Sequence, residues 1–228
     1  VSDKKTNSNK IPVVAIKCRR KFLRFFPKGF QDEKYYNWER GYKWQAHEQW
    51  MELLDRPTCY ALLQEQNFTE IAARAIKIES KTNLLFSFEK MAIRDAIKPP
   101  EGARLFAEGL VDFLYGKGSL KAKFERWCNV VAQLPRRQTR VLTWPVLTVF
   151  GFIAQPDKHI FLKPMITRLA ASEYGFDFHY KSQPSIETYT SLLEFANLLQ
   201  HDLSDMHPKD MIDIQSFIWV QASSEYDE

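Results

Sequence analysis

From residue 33 to residue 221 the apolar residues recur at three- and four-residue steps, and proline and glycine cut the runs. That periodicity predicts a series of helices joined by short breaks, which makes an all-α domain. Residues 33–54 place Trp38, Tyr42, Gln45 and Gln49 on one stripe and Ala46, Trp50 and Leu53 on the next, until Asp55-Arg56-Pro57 breaks the pattern. Residues 57–66 form a short helix opened by proline. Thr69 is the expected cap of residues 70–80. In residues 83–97, Leu84, Leu85, Phe88, Met91, Ala92 and Ala96 mark the expected apolar side, and Pro99-Pro100 stops it. Residues 101–115 end at Gly116-Lys117-Gly118, and Ser119 caps residues 120–134. Pro145 is expected to divide the next apolar stretch into two shorter helices. Residues 164–174, 185–203 and 208–221 complete the set, with Asp210 and Asp213 favouring the start of the last helix. No internal repeat and no run of alternating strands is present.

The N-terminus has a different character. Residues 1–30 carry nine Lys/Arg against Asp3 alone, a charge of +8 within a chain whose net charge is +4. Residues 1–10 read as a disordered tail. Residues 11–30 read as a basic, aromatic arm in which Ile11–Ile16 is a short strand or an extended segment. Residues 31–228 form the helical domain. A basic arm on a slightly acidic body suits an anionic partner, nucleic acid above all. It also suits a solvated tail that aids solubility.

Cys18, Cys59 and Cys128 lie far apart, with no disulfide framework and no C-x-x-C spacing. They read as buried free thiols of a reducing compartment. Without an apolar run approaching 18 residues or a signal-peptide core, the expected location is cytoplasmic and no membrane partner is expected. No phosphate-binding P-loop, dinucleotide fingerprint or G-x-S-x-G elbow occurs, which argues against nucleotide hydrolysis and α/β-hydrolase chemistry. His201, Asp202, Asp205, His207, Asp210 and Asp213 match no metal-ligand spacing and read as loop polarity and helix-start acids. Glu79-Ser80-Lys81 has the E-x-K form used by nucleases but falls at a helix end rather than on a strand. Neither a metal nor a cofactor is implied.

Two basic groups remain. Arg40–Trp50 interleaves Lys43 and His47 with Trp44. Together with Arg19, Arg20, Lys21 and Arg24 it makes a candidate surface for single strands, with Trp44 as a stacking ring; its other reading is the solvated face of an amphipathic helix. The second group is Leu134-Pro135, Arg136, Arg137, Thr139 and Arg140, followed by Trp144, the apolar run 141–153 with Phe150-Gly151, and Asp157-Lys158-His159. This stretch of about 30 residues, extended to about residue 220, partially resembles the helix-hairpin-helix DNA glycosylase superfamily. The resemblance implies a hairpin that clasps a DNA phosphate and a catalytic aspartate at Asp157, with His159 beside it. The family's hairpin glycines are replaced here by Arg136 and Gln138, so Arg136, Arg137 and Arg140 would meet phosphate by side chain instead. Arg140 stands where bifunctional members place a Schiff-base lysine, so the resemblance implies a monofunctional enzyme at most. Trp144 is a second stacking candidate or a core ring; Asp157 is a turn and capping residue on its plainer reading, and His159 a buried, hydrogen-bonded one.

The expected function is therefore nucleic-acid binding, with DNA favoured and base excision through Asp157 as its sharper form. The alternative is a non-enzymatic interaction subunit that docks a partner protein through residues 11–30. A small-molecule enzyme with a pocket lined by His159, Tyr189 or Trp144 is a third.

Overall fold

The computed structural model describes residues 13–137 and 139–227, and every regular element among them is helical. The fold is all-α. Helix α1 spans Val13–Phe25. Then α2 (Glu33–Tyr35), a π turn (Tyr36–Arg40) and α3 (Gly41–Leu53) run on as one rod, because the residues at both junctions keep right-handed helical angles. There follow α4 (Arg56–Gln64), α5 (Phe68–Glu79), α6 (Ser87–Ile97), α7 (Pro100–Tyr115), α8 (Leu120–Gln133), α9 (Trp144–Ala154), α10 (Pro164–Tyr174), α11 (Ile186–Asp202) and α12 (Met211–Ala222).

Two helices organise the packing. All of α9 is buried, as expected of a helix that is apolar all round. It lies among α3, α5, α6, α7 and α8. Nearly all of α12 is buried as well, between α1, α10 and α11. Alanine at Gly109 would bring its Cβ to 2.6 Å from a Val130 methyl, so glycine lets α7 and α8 close together.

The N-terminal reading needs correction. Residues 13–25 are helical rather than extended, and they belong to the body. Ala15, Cys18 and Phe22 recur at helical steps, and all three are buried, as are Phe26 and Phe30. The Phe22 ring lies 4.9–5.8 Å from those of Phe26, Phe30, Tyr35 and Phe217. The β-branched run Val13-Val14 suggested an extended segment, but the apolar stripe prevails once α10 and α12 cover it. The aromatic content assigned to a docking arm is core. Residues 1–12, which include the expected tail, lie outside the described residues.

Other boundaries shift. Thr69 sits inside the first turn of α5, which begins at Phe68. Residues 83–86 precede α6 rather than joining it, and Phe88 and Met91 are 52% and 59% exposed; Ala92, Ile93, Ala96 and Ile97 form the buried side. Pro145 does not divide two helices. It occupies the first turn of α9, whose N-cap Thr143 accepts the Val146 N–H. The last helix begins at Met211, capped by Asp210. Ser119 caps α8 as expected, and Ser185 caps α11, which begins at Ile186.

Candidate functional site

The site is built on two buried ionic clusters that fix α12 against the α2–α3 rod. The π turn widens the rod so that Glu39 and Arg40 both face inward while Trp38 stays 55% exposed. Arg40 donates to Asp210 through both terminal guanidinium nitrogens (2.9 and 2.6 Å) and to Asp213 at 2.7 Å. The Tyr35 hydroxyl and the Lys209 N–H also donate to Asp213, at 2.5 and 2.7 Å. One turn along, Lys43 donates to Glu39 and to Ser216, and Tyr226 donates to Glu39 at 2.6 Å. Burial by itself would lower the Arg40 pKa; Asp210 and Asp213 raise it instead.

These clusters present one flank of α12 to a two-lobed cleft. The smaller lobe, about 230 Å³, is walled by Trp38, Tyr42 and Trp219, with Gln215 and Lys43 in its lining. The larger, about 530 Å³, is apolar: Phe86, Phe88, Leu142, Trp144, Met165 and Ile166 line it, with Arg140 and Tyr180 among its polar members. Phe86, Lys163, Trp219 and Glu225 belong to both lobes.

Local sequence explains this waist. Lys163 precedes Pro164, so it is extended, with φ −106° and ψ 104°. Its ammonium stands 4.1 Å from the Phe86 ring centroid and 4.9 Å from that of Trp219. Burial lowers its pKa against the opposing pull of Glu89 and Glu225. Glu89 accepts the Phe86 N–H at 2.9 Å, and this cap at the start of α6 holds Phe86 and Phe88 as an exposed, near-parallel pair with centroids 5.7 Å apart. Tyr180, which lines the larger lobe, has Arg168 at 5.0 Å from its ring.

The predicted site residues are scattered. Arg140 lines the larger lobe, whereas Arg136 and Arg137 line a separate hollow with Asp95 and Lys98. Trp144 is a wall of the larger lobe; it is 2% exposed, donates to the Lys181 carbonyl and stacks on Phe124, so it is a core ring with one edge on the cleft. Trp44 donates to Glu48 beneath Arg40 and lines neither lobe. On α1, Arg19 pairs with Asp205, Lys21 donates to the Gln221 carbonyl and faces Asp227, Arg24 lies over Phe25, and Arg20 is exposed.

Asp157 is exposed in the turn after α9, 3.6 Å from Lys158. Arg140 precedes the same helix, so the length of α9, about 16 Å, stands between them. His159 is 1% exposed and ringed by Phe113 and Tyr189. The Tyr189 hydroxyl, which accepts the Ile160 N–H, shares a hydrogen bond of 2.8 Å with Nδ1 of the imidazole. Burial lowers the His159 pKa to about 3 from an ordinary 6.5, and Lys123 and Lys158 add to the effect. The unfolded chain binds the proton more tightly, so His159 contributes full stability above pH 6.5 and loses it as pH falls toward 3. We expect the loss to reach about 4–5 kcal/mol at most. Urea unfolding at pH 7 and pH 4 checks this: His159→Phe should flatten the difference between the two.

The acids of residues 201–213 are engaged elsewhere. Asp202 accepts from Tyr174, Asp205 pairs with Arg19, and Asp210 and Asp213 hold Arg40. Among the described residues no group of three or more His, Cys, Asp or Glu is placed to hold a metal ion. Nor is any helix among them long and apolar enough to cross a membrane. Cys18, Cys59 and Cys128 are free thiols.

Fold and site together define an all-helical domain with a ring-lined cleft whose charged lining sets Lys43, Arg140 and Lys163 against Glu39, Glu89 and Glu225. Comparison with family models, curated proteins and solved structures returned no match to the chain.

Proposed function

We propose that the protein binds single-stranded nucleic acid in the two-lobed cleft and that this binding needs no catalysis. The observation that carries the reading is the waist, where Lys163 stands between the rings of Phe86 and Trp219. Strand-binding surfaces combine rings on which bases stack with cations that meet the phosphates. Phe86 and Phe88 supply exposed ring faces, Trp38 a further one, and Arg140 and Lys163 the charge. The rings offer stacking partners to unpaired bases, whose faces a duplex keeps occupied. Asp157 has no part in it, since it lies beyond the far end of α9.

A labelled oligonucleotide titration at low and physiological salt tests this reading. Single strands should bind, duplex of the same sequence should bind more weakly, and affinity should fall steeply with salt. Phe86→Ala should weaken binding roughly 10-fold, in line with about 1–3 kcal/mol per stacked base. Absence of strand binding at low salt would remove the reading. Met165, 80% exposed beside Phe86 and Phe88, favours a second one, in which an apolar peptide fills the larger lobe. Peptide binding there would persist at high salt.

A further inference from the structure

Carboxylates in the lining of a cleft repel a polyanion unless they accept hydrogen bonds from its bases. Three stand in this one. Glu39 is spent on Lys43 and Tyr226. Glu225 is exposed and can turn to solvent. Glu89 is different. It is 4% exposed in the lining of the larger lobe, and the Phe86 N–H, donating at 2.9 Å, fixes it through Oε2. Its second oxygen, Oε1, has the Thr143 hydroxyl at 3.5 Å. A carboxylate offers about four acceptor sites, so those on Glu89 are under-used. Lys163, which lines the same lobe, is the complement. Among the described residues its ammonium makes no hydrogen bond or ion pair, and rings hold it instead. One apolar lobe thus carries an under-used acceptor and an under-used donor, and each costs free energy until a ligand meets it.

We propose that the larger lobe reads guanine: Glu89 accepts its N1–H and N2–H, Lys163 donates to its O6, and the rings at the start of α6 stack on it. This rests on the nucleic-acid reading and names the base that the cleft prefers. Base chemistry makes the choice, because a carboxylate only accepts. Guanine alone among the DNA bases carries two donors side by side, N1–H and N2–H, with the acceptor O6 next to them. Adenine and cytosine offer one amino group, and thymine one imino group. Local sequence places the parts together. Phe86 is the N-cap of α6, Phe88 lies in its first turn, and Glu89 closes the capping bond, so both rings and the acceptor share one turn of chain.

The test uses the full chain, with free guanosine and adenosine and with a short oligodeoxythymidine that carries one central guanine, hypoxanthine, adenine or cytosine. At low salt the guanine strand should bind roughly 10-fold more tightly than the adenine, cytosine and all-thymine strands, the discrimination of one bidentate base contact. Hypoxanthine, which lacks the N2 amine, should fall between. Guanosine alone should shift the Trp219 indole resonance saturably, and adenosine at the same concentration should not. Glu89→Gln keeps an amide oxygen for the Phe86 N–H, so α6 keeps its cap, and its melting temperature establishes that it is folded. This variant should lose the guanine preference and bind the all-thymine strand more tightly, because a negative charge has left the cleft. A purely structural Glu89 would instead weaken every strand alike. Guanosine binding without strand binding keeps the guanine site and removes the nucleic-acid reading. Strand binding without base preference, or a guanine preference that survives in Glu89→Gln, overturns the guanine site and leaves that reading to stand on the cleft. Absence of both guanosine and strand binding overturns both.

Discussion

Phe22→Ala is expected to destabilise the protein by about 3–5 kcal/mol, the cost of emptying a fully buried aromatic site. Domains of ordinary stability hold about 5–15 kcal/mol in total, so this one change takes a large share. Removing residues 1–30 should go further and leave the chain without a cooperative transition. Its apolar stripe covers α12, and the rings of Phe26 and Phe30 pack on Tyr35. Urea unfolding followed by circular dichroism measures both. A detachable arm would give the opposite result: a truncated body melting where the full chain melts, and a Phe22→Ala protein indistinguishable from wild type.

Arg40→Leu should cost a similar amount, about 3–5 kcal/mol, for a different reason. Asp213 is fully buried, and its charge is tolerable because Arg40, Tyr35 and the Lys209 N–H all donate to it. Without the guanidinium, a buried carboxylate keeps only neutral donors. Pairing Arg40→Leu with Asp213→Leu should recover part of the loss, because it removes the stranded charge at Asp213, while Asp210 still lacks the guanidinium. Thermal and urea unfolding of the single and double variants check this. If the double variant is no better than the single, charge burial is not the source of the cost. The cluster also sets the position of α12, which carries Gln215 and Trp219 to the cleft. Arg40→Leu should therefore weaken oligonucleotide binding even though Arg40 lines neither lobe.

The contrast between α8 and α1 shows where sequence reasoning holds. Helix α8 has a serine cap, a clean stripe of Phe124, Trp127 and Val131, and glycine before it, so local and tertiary preferences agree. Helix α1 has a β-branched start, and five basic residues, Lys17, Arg19, Arg20, Lys21 and Arg24, interrupt its apolar pattern. Its helicity depends on partners about 150–200 residues away, which no local pattern reveals. The cleft was illegible for a related reason. Phe88 and Met91 fit the spacing of a core stripe, and spacing locates a ring on a helix without saying which side the body covers. Lys163 carried no motif at all. Its significance comes from Phe86 at the cap of α6 and Trp219 of α12, which the fold brings to either side of it. Of the binding residues singled out from sequence, Arg140, Trp144 and Lys43 reach the lining of the cleft, Trp144 by one edge and Lys43 from a buried ion pair with Glu39.

The bond from Lys21 to Gln221 joins positions 200 residues apart, and Cys18 meets the Glu173 carbonyl across 155. During synthesis, then, the apolar stripe of α1 leaves the ribosome long before the helices that cover it. At about 5–20 residues per second the wait for α12 is roughly 10–40 s. Through that interval a strongly cationic helix with a bare phenylalanine face is held apart only by its own charge. The lysines and arginines between the rings thus have work to do before the molecule is complete: like-charged nascent chains repel one another, and the exposed faces stay uncovered until α10 and α12 arrive.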